Sequence, residues 1–214
     1  MQKGRECGVI FMKKHDLQIQ ALLYAISQYP DIGRTKLMKF IFLTDLVWYN
    51  QHNETVFEDE YVRMPKGPVP VLAYALTSVE TSHEYFDVEK IQTPFGNDQY
   101  IFRLKMNPDL SCFPHELIEL MDKILEYIKS NNANDISEFI HRFRLWRLIE
   151  NGRKIPKDLF KLDEYEAADI LSCKSLNIAN RLKKQALRIE GEIPIEPVSK
   201  EFVKAQLKVL SSEK

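Results

Sequence analysis

Histidines are the residues of this chain best suited to metal binding or acid–base chemistry, and they are scattered. The five are His15, His52, His83, His115 and His141. No HExxH pattern occurs, and no second histidine completes a zinc-binding helix after His115. The glycine-rich phosphate-binding loops and the GxSxG nucleophile turn are also absent. We therefore predict no catalytic site, no metal site and no cofactor.

Asp45 is the first isolated ionisable residue of interest. It lies in the segment 35–50, which is apolar nearly all round and is predicted to be a buried helix. A carboxylate there must be paired or hydrogen bonded, because an unpaired buried charge is costly. We expect Asp45 to accept from Arg63, Tyr61 or a backbone amide and so to fix the next strand against the helix. This structural role is favoured over a catalytic one.

His141 is the second such residue. We interpret it as a buried imidazole that bridges two elements rather than as a general base, because no nucleophile motif accompanies it. Trp146, a few residues on, is expected to pack in the core. The acidic run Glu58-Asp59-Glu60 lies beside a predicted loop and is interpreted as a solvated surface.

Apolar periodicity and turn residues predict the elements that must position these side chains. Helices are predicted at 16–27, 35–50, 71–79, 114–130 and 136–151, and strands at 60–64, 85–93 and 99–105. Asp16 and Asp135 are the expected N-caps, and Gly152 the expected stop of the last helix. Three prolines and a glycine predict no regular structure at 65–70.

These elements predict an α+β, mostly helical fold: a compact helical domain with a β-hairpin, plus a C-terminal helical extension. The predicted boundaries are 1–165 for the domain and 166–214 for the extension. Within the extension, helices are predicted at 175–190 and 199–210, separated by a proline-containing linker.

Composition excludes several classes of protein. The 214 residues carry a formal charge of −1, whereas a general nucleic-acid binder usually has a clear basic excess. Three widely spaced cysteines predict neither a disulfide framework nor a metal site, which favours a reducing compartment. Without a secretory leader or a long apolar run, we expect a cytoplasmic protein and no membrane partner.

Two stretches of sequence resemble the SocA-like (Panacea) antitoxin domain family. The first is KLMKFIFLTD at 36–45 followed by YVRMPKGPVP at 61–70. It is similar to the family's KLxKLLYLxD-like helix and the strand that leads into its Gly-Pro-Val-Pro turn. The second stretch begins with ISEFIH at 136–141 and continues to Trp146 and to Ile155-Pro156. The resemblance covers roughly residues 16–163.

The resemblance implies an antitoxin, also found as a phage-associated protein, that neutralises a toxin by protein contact and without catalysis. Its partner would be a protein toxin encoded by an adjacent gene. The motif at the turn suggests partner-binding residues, and the remaining motif positions suggest structural ones. These are Lys66, Gly67, Pro68 and Pro70 for binding, and Asp45, His141 and Trp146 for structure.

For Gly67 we hypothesise a backbone shape that a side chain would resist. It precedes the start of the next helix, whose free amides could meet a partner.

Three alternatives stay open, and the first is a protein adaptor. Helices plus the 85–105 hairpin could form a winged-helix-like unit that binds nucleic acid, using a basic stretch as its contact surface. That stretch contains Arg142, Arg144, Arg147, Arg153, Lys154 and Lys157. The competing interpretation is a solvated face with ion pairs to nearby acids such as Glu150 and Asp158. An enzyme is the least supported class.

Overall fold

The computed structural model describes residues 14–172, except residues 80, 82, 94, 95 and 97. Seven α-helices, two single-turn 3-10 helices and two antiparallel hairpins make up this part of the chain, so the predicted α+β, mostly helical class is confirmed. The α-helices are α1 Lys14–Gln28, α2 Arg34–His52, α3 Val71–Leu76, α4 His115–Ser130, α5 Ala133–Ile140, α6 Arg144–Arg147 and α7 Glu164–Ser172. The strands are β1 Tyr61–Met64, β2 Gly67–Pro70, β3 Phe86–Gln92 and β4 Asp98–Leu104. The 3-10 turns are Leu110–Cys112 and Lys157–Phe160.

Helix α2 is the centre of the fold. Every residue from Leu37 to Val47 is buried, as the apolar sequence of this segment predicts. Around it lie α1, α3, α4 and α5 together with strands β2 and β4. The helix ends where Asn53 adopts a left-handed backbone with φ of 61° and donates its N–H to the carbonyl of Tyr49. Because α2 contacts so many elements, its side chains determine where the others lie.

The hairpin β1–β2 overturns the prediction of no regular structure at 65–70. In the antiparallel pairing, Arg63 lies opposite Pro68 and Tyr61 lies opposite Pro70. Prolines are tolerated in a strand whose N–H positions face away from the partner strand. The prolines occupy those outward positions here, and Val69, which retains its N–H, lies opposite Val62.

A third chain segment covers the other edge of β1. The amide of Arg63 donates to the carbonyl of Arg153, and the amide of Gly152 donates back to the carbonyl of Arg63. The amide of Ile155 donates to the carbonyl of Tyr61. Strand β1 is therefore paired on both sides, and the Ile155-Pro156 motif is held directly against the Gly-Pro hairpin.

The second hairpin agrees with the sequence. Strands β3 and β4 pair over their whole length, with Phe86 opposite Leu104 and Gln92 opposite Asp98. Phe86 and Phe102 are buried and meet edge to face with their ring centroids 5.8 Å apart. One face of this hairpin thus packs on the core.

The predicted helix 136–151 is wrong, because the chain turns after Ile140 and starts a separate short helix at Arg144. The buried carboxylate of Glu166, which lies in α7, accepts the freed amide of Arg144. Phe143, between the two helices, is fully buried and packs against Phe139. A contact with a residue 22 positions later therefore stabilises the break.

Smaller corrections concern helix ends. Helix α1 already includes Lys14, so Asp16 lies in its first turn and is not its cap. The cap of α5 is Asn132, whose side chain accepts from the amides of Asn134 and of Asp135 itself. Gly152, with φ of 79°, belongs to the turn before the segment that pairs with β1.

Helix α7 crosses the predicted boundary between residues 165 and 166. Ala167 and Ile170 are buried in the same core as the preceding helices. The two helices predicted at 175–190 and 199–210 lie outside the described residues.

Asp59 corrects the interpretation of the acidic run as a solvated surface. Its neighbours Glu58 and Glu60 are exposed, but Asp59 is only 7% exposed. Its carboxylate accepts from the side-chain amide of Gln18 at 2.8 Å and from the backbone amide of Leu72 at 3.0 Å. It therefore caps α3, whose own N-cap residue is a proline with no capping side chain.

We predict that Asp59→Ala destabilises the protein, because it leaves the α3 amides and the Gln18 side chain without their acceptor. The expected loss in free energy of unfolding is about 2–3 kcal/mol, measured by urea denaturation. Glu54→Ala is the control on an exposed acidic residue of the same segment, and its loss should stay within about 0.5 kcal/mol. Equal losses in the two variants would contradict the capping role.

Candidate functional site

An open groove of about 300 Å³ lies beside the turn between β1 and β2. Helix α2, the β1–β2 hairpin and α3 all contribute to its walls. Its lining residues are Arg34, Thr35, Met38, Lys39, Met64, Pro65, Lys66, Val69 and Tyr74. The groove thus brings the two halves of the first sequence motif, the helix 36–45 and the turn 61–70, to one place.

Lys39 is the unusual residue of this groove. It is 1% exposed, and within the described part of the chain its ammonium has neither a hydrogen-bond acceptor nor an ion-pair partner. Burial lowers the pKa of Lys39 from its ordinary value to about 7, because the charged form loses its hydration. A buried amine without a partner is rare in proteins, since Lys is almost never fully buried unless paired.

Gly67 makes room for Lys39. A β-carbon at position 67 would lie 2.1 Å from Nζ of Lys39 and 3.6 Å from the side chain of Ile140. Gly67 also has φ of 108°, a backbone conformation that side chains resist. The backbone shape that was expected at Gly67 is therefore present. The Lys39 side chain adds a second requirement for glycine, because it passes beneath the turn where a β-carbon would otherwise lie.

His141 and Trp146 hold the same turn from the other side. Their rings stack, with centroids 3.6 Å apart and planes inclined by 15°. The indole N–H of Trp146 donates to the carbonyl of Met64 at 3.1 Å, and the imidazole of His141 bonds the carbonyl of Pro65. The guanidinium of Arg63 lies 4.0 Å from the indole centroid on this stack.

The pKa of His141 is lowered. Partial burial is the main cause, followed by the positive charges of Lys39 and Arg63. Its Nε2 atom is buried without a hydrogen-bond partner. Both rings are half-buried rather than fully buried, so Trp146 packs at the margin of the core.

The remaining predicted binding residues differ in accessibility. Lys66 is exposed at the groove, whereas Gly67, Pro68 and Pro70 are buried. The idea that free α3 amides meet a partner is wrong. The first of them donates to the carbonyl of Glu60, and the next two are bound by Asp59.

Asp45 lies away from the groove. It is fully buried and accepts from the hydroxyl of Tyr61 at 2.6 Å and from the amide of Phe57 at 3.0 Å. Burial raises the pKa of Asp45 to about 7, and these hydrogen bonds oppose the rise. Of the three donors expected from the sequence, Tyr61 and a backbone amide bond Asp45. Arg63 does not, because its guanidinium lies on the Trp146 ring.

Sequence reasoning missed Lys39 as a site residue. A signal existed, because Lys39 and Asp45 are both charged residues inside the same apolar helix, and only Asp45 drew attention. Arg34 was missed as well; its guanidinium lies 3.7 Å from the ring centroid of Tyr74 and donates to the carbonyl of that residue.

Half of the basic residues that suggested nucleic-acid binding are engaged in ion pairs. Arg144 contacts Asp163 and Glu166, Arg153 contacts Glu150, and Lys154 contacts Glu60. In the described part of the chain no group of three His, Cys, Asp or Glu side chains could hold a metal ion. No helix described there has the length and apolar character needed to cross a membrane.

Comparison with known protein families gives a match that contains most of these motif residues. The family model of the antitoxin SocA-like, Panacea domain matches residues 37–147, which is just over half of the chain. The chain belongs to this family. The match includes Lys39, the β1–β2 turn, His141 and Trp146, so the stacked rings and all of the groove lining except Arg34 and Thr35 lie within the matched residues. No curated protein and no solved structure matches the chain.

We predict that Lys39→Met stabilises the free protein at low pH. The folded-state pKa lies below the ordinary value, so the cost of burying the charge is complete below about pH 7 and disappears as the pH rises toward 10.5. The expected gain at pH 6 is on the order of 4 kcal/mol in free energy of unfolding, and it should shrink steadily above pH 7. Urea denaturation of both proteins from pH 6 to 10 measures it. A gain independent of pH would contradict the burial of a charged amine.

We also predict that Gly67→Ala and Lys39→Met are energetically coupled. Alone, Gly67→Ala should cost about 2–3 kcal/mol, because it strains the backbone and crowds the ammonium. With Met at position 39 the crowding disappears and only the backbone strain remains, so the cost should fall by about 1 kcal/mol. A double-mutant cycle in urea tests this. Strict additivity would place Lys39 away from Gly67.

Proposed function

We propose that this chain neutralises a protein toxin in the cytoplasm by direct protein–protein binding, without catalysis. The observation that carries the proposal is membership of the antitoxin SocA-like, Panacea domain family. The toxin would be the product of an adjacent gene. The binding surface would be the groove together with the β1–β2 turn, because this is where the family's motifs reach the surface.

Exposed apolar side chains around the groove support this choice of surface. Met64, Val71 and Tyr74 are 38%, 44% and 48% exposed, and all three lie on or directly beside the β1–β2–α3 segment. Large apolar side chains grouped on one exposed surface are typical of a protein-binding site. Rigid pairing of β1 on both edges supports it too, since a preformed surface loses little entropy on binding.

Nucleic-acid binding is the weaker alternative. Three of the six cations in the basic stretch are occupied by carboxylates, which reduces the positive charge available for phosphates. The formal charge of −1 for the whole chain points the same way.

We predict that co-expression of this chain restores growth to cells that produce the toxin encoded by the adjacent gene. We also expect the two purified proteins to co-elute as a complex. Met64→Asp and Tyr74→Ala should each weaken the complex at least about tenfold, because they replace apolar contact area in the interface. Affinity is measured by calorimetry, and growth is scored in the same strains.

The chain offers matched controls for both variants. Met106 is 42% exposed and Tyr165 is 53% exposed, and neither lines the groove. Met106→Asp and Tyr165→Ala should therefore bind like wild type. Equal losses in test and control variants would remove the groove from the interface. Growth rescue without any complex would contradict neutralisation by binding.

A further inference from the structure

Lys39 is a buried cation for which the described residues supply no counter-ion. The ammonium of Lys39 has lost nearly all contact with water, yet no acceptor among the described residues replaces that hydration. Such a group is costly in the free protein and is stabilised by any anion that reaches it. Lys39 lines an open groove, which gives an anion from outside a route toward this residue.

The groove has the charge and the apolar character to receive such an anion. Arg34 and Lys66 line it together with Lys39, and among the described residues no acidic side chain does. The rest of its lining includes Met38, Met64, Val69 and Tyr74, which suit an apolar stem or neighbouring apolar side chains. A volume of about 300 Å³ is enough for a few side chains of a partner.

Building on the proposed function, we propose that the groove binds an aspartate or glutamate side chain of the partner protein, with the Lys39 ammonium as its counter-ion. Lys39 is desolvated when the chain folds, so binding needs to desolvate only the incoming carboxylate. Arg34 is already oriented by hydrogen bonds to Thr77 and to the Tyr74 carbonyl, which leaves Lys39 as the central cation of the groove.

A protein carboxylate fits this site better than a nucleic-acid phosphate. Phosphate backbones are bound by rows of exposed cations, whereas the Lys39 ammonium is buried and the groove beside it is lined by apolar side chains as well as by Arg34 and Lys66. Pairing of one buried lysine with one carboxylate is the usual solution in protein interiors and interfaces.

Binding should depend on pH, and the neighbouring charges define how. The charged or titratable groups near Lys39 are His141, which directly follows α5, and Arg34 and Lys66 of the groove. Free Lys39 loses its proton near pH 7, and a bound carboxylate favours the protonated form. Affinity should therefore fall as the pH rises above about 7, up to tenfold per pH unit.

The test uses the full chain and three sets of immobilised hexapeptides with randomised flanks. Their central residue is aspartate, asparagine or phosphoserine. Wild type should retain the aspartate set at least about tenfold over the asparagine set at pH 6.5, and Lys39→Met should abolish the difference. Lys123→Met, which changes an exposed lysine on α4, should behave as wild type. A melting curve on each variant confirms that it is folded.

Equal retention of the aspartate and asparagine sets overturns the proposal, as does unchanged aspartate preference in Lys39→Met. Stronger retention of the phosphoserine set than of the aspartate set contradicts a carboxylate ligand and indicates that the groove binds a phosphate group instead. Co-expression separates this proposal from the proposed function. If Lys39→Met neutralises the toxin as well as wild type does, the antitoxin function stands and the carboxylate site is contradicted. If the chain retains the aspartate set in a Lys39-dependent way but does not neutralise the toxin, the carboxylate site stands and the antitoxin function is contradicted.

Discussion

The contact between the Lys39 side chain and the backbone of Gly67 links the central helix to the surface of this protein. Helix α2 is buried on all sides, so its side chains cannot move without disturbing every neighbouring element. The lysine stem crosses that packed interior and brings the ammonium beneath the β1–β2 turn. Because the turn has no side chain at position 67, it lies directly over the charge. The surface shape of the groove is thus set from within the core.

Two buried ionisable residues on α2 differ in a way that separates structure from function. Asp45 receives two short hydrogen bonds, from Tyr61 and Phe57, which fasten the start of β1 to the helix. The Lys39 ammonium has no acceptor among the described residues. A satisfied buried carboxylate fixes the position of a strand, whereas an unsatisfied buried amine only lowers stability. We therefore relate its position at the groove to the proposed binding of a carboxylate rather than to a role in stabilising the fold.

Local sequence predicted the elements whose signals are local. The apolar helix α2, the β3–β4 hairpin and the amphipathic helix α4 follow directly from periodicity and turn residues. The errors have a common cause in remote partners. Asp59 caps a helix 13 residues later, and Glu166 accepts an amide 22 residues earlier. Neither contact can be inferred from spacing, and strand β2 depends likewise on pairing that places its prolines outward.

Site prediction followed the same division. The motif positions Gly67, His141 and Trp146 were suggested by the resemblance to the family, and the structure places all three around the β1–β2 turn. Lys39 was overlooked because lysine is ordinary in a helix and becomes unusual only when α2 is known to be buried on every side. Burial is a tertiary property, so the sequence marks Lys39 as a charged residue in an apolar helix, and only the folded chain places its ammonium beneath the turn.

The choice of histidine at position 141 follows from the same electrostatics. The residue must donate to the Pro65 carbonyl and present a flat face to Trp146. Arginine could do both, but a third cation beside Lys39 and Arg63 would be repelled by them. Histidine meets the requirement because the neighbouring charges and partial burial lower its pKa and favour the neutral ring. A neutral clamp thus holds the turn in place and adds no positive charge that would compete with Lys39 for an incoming anion.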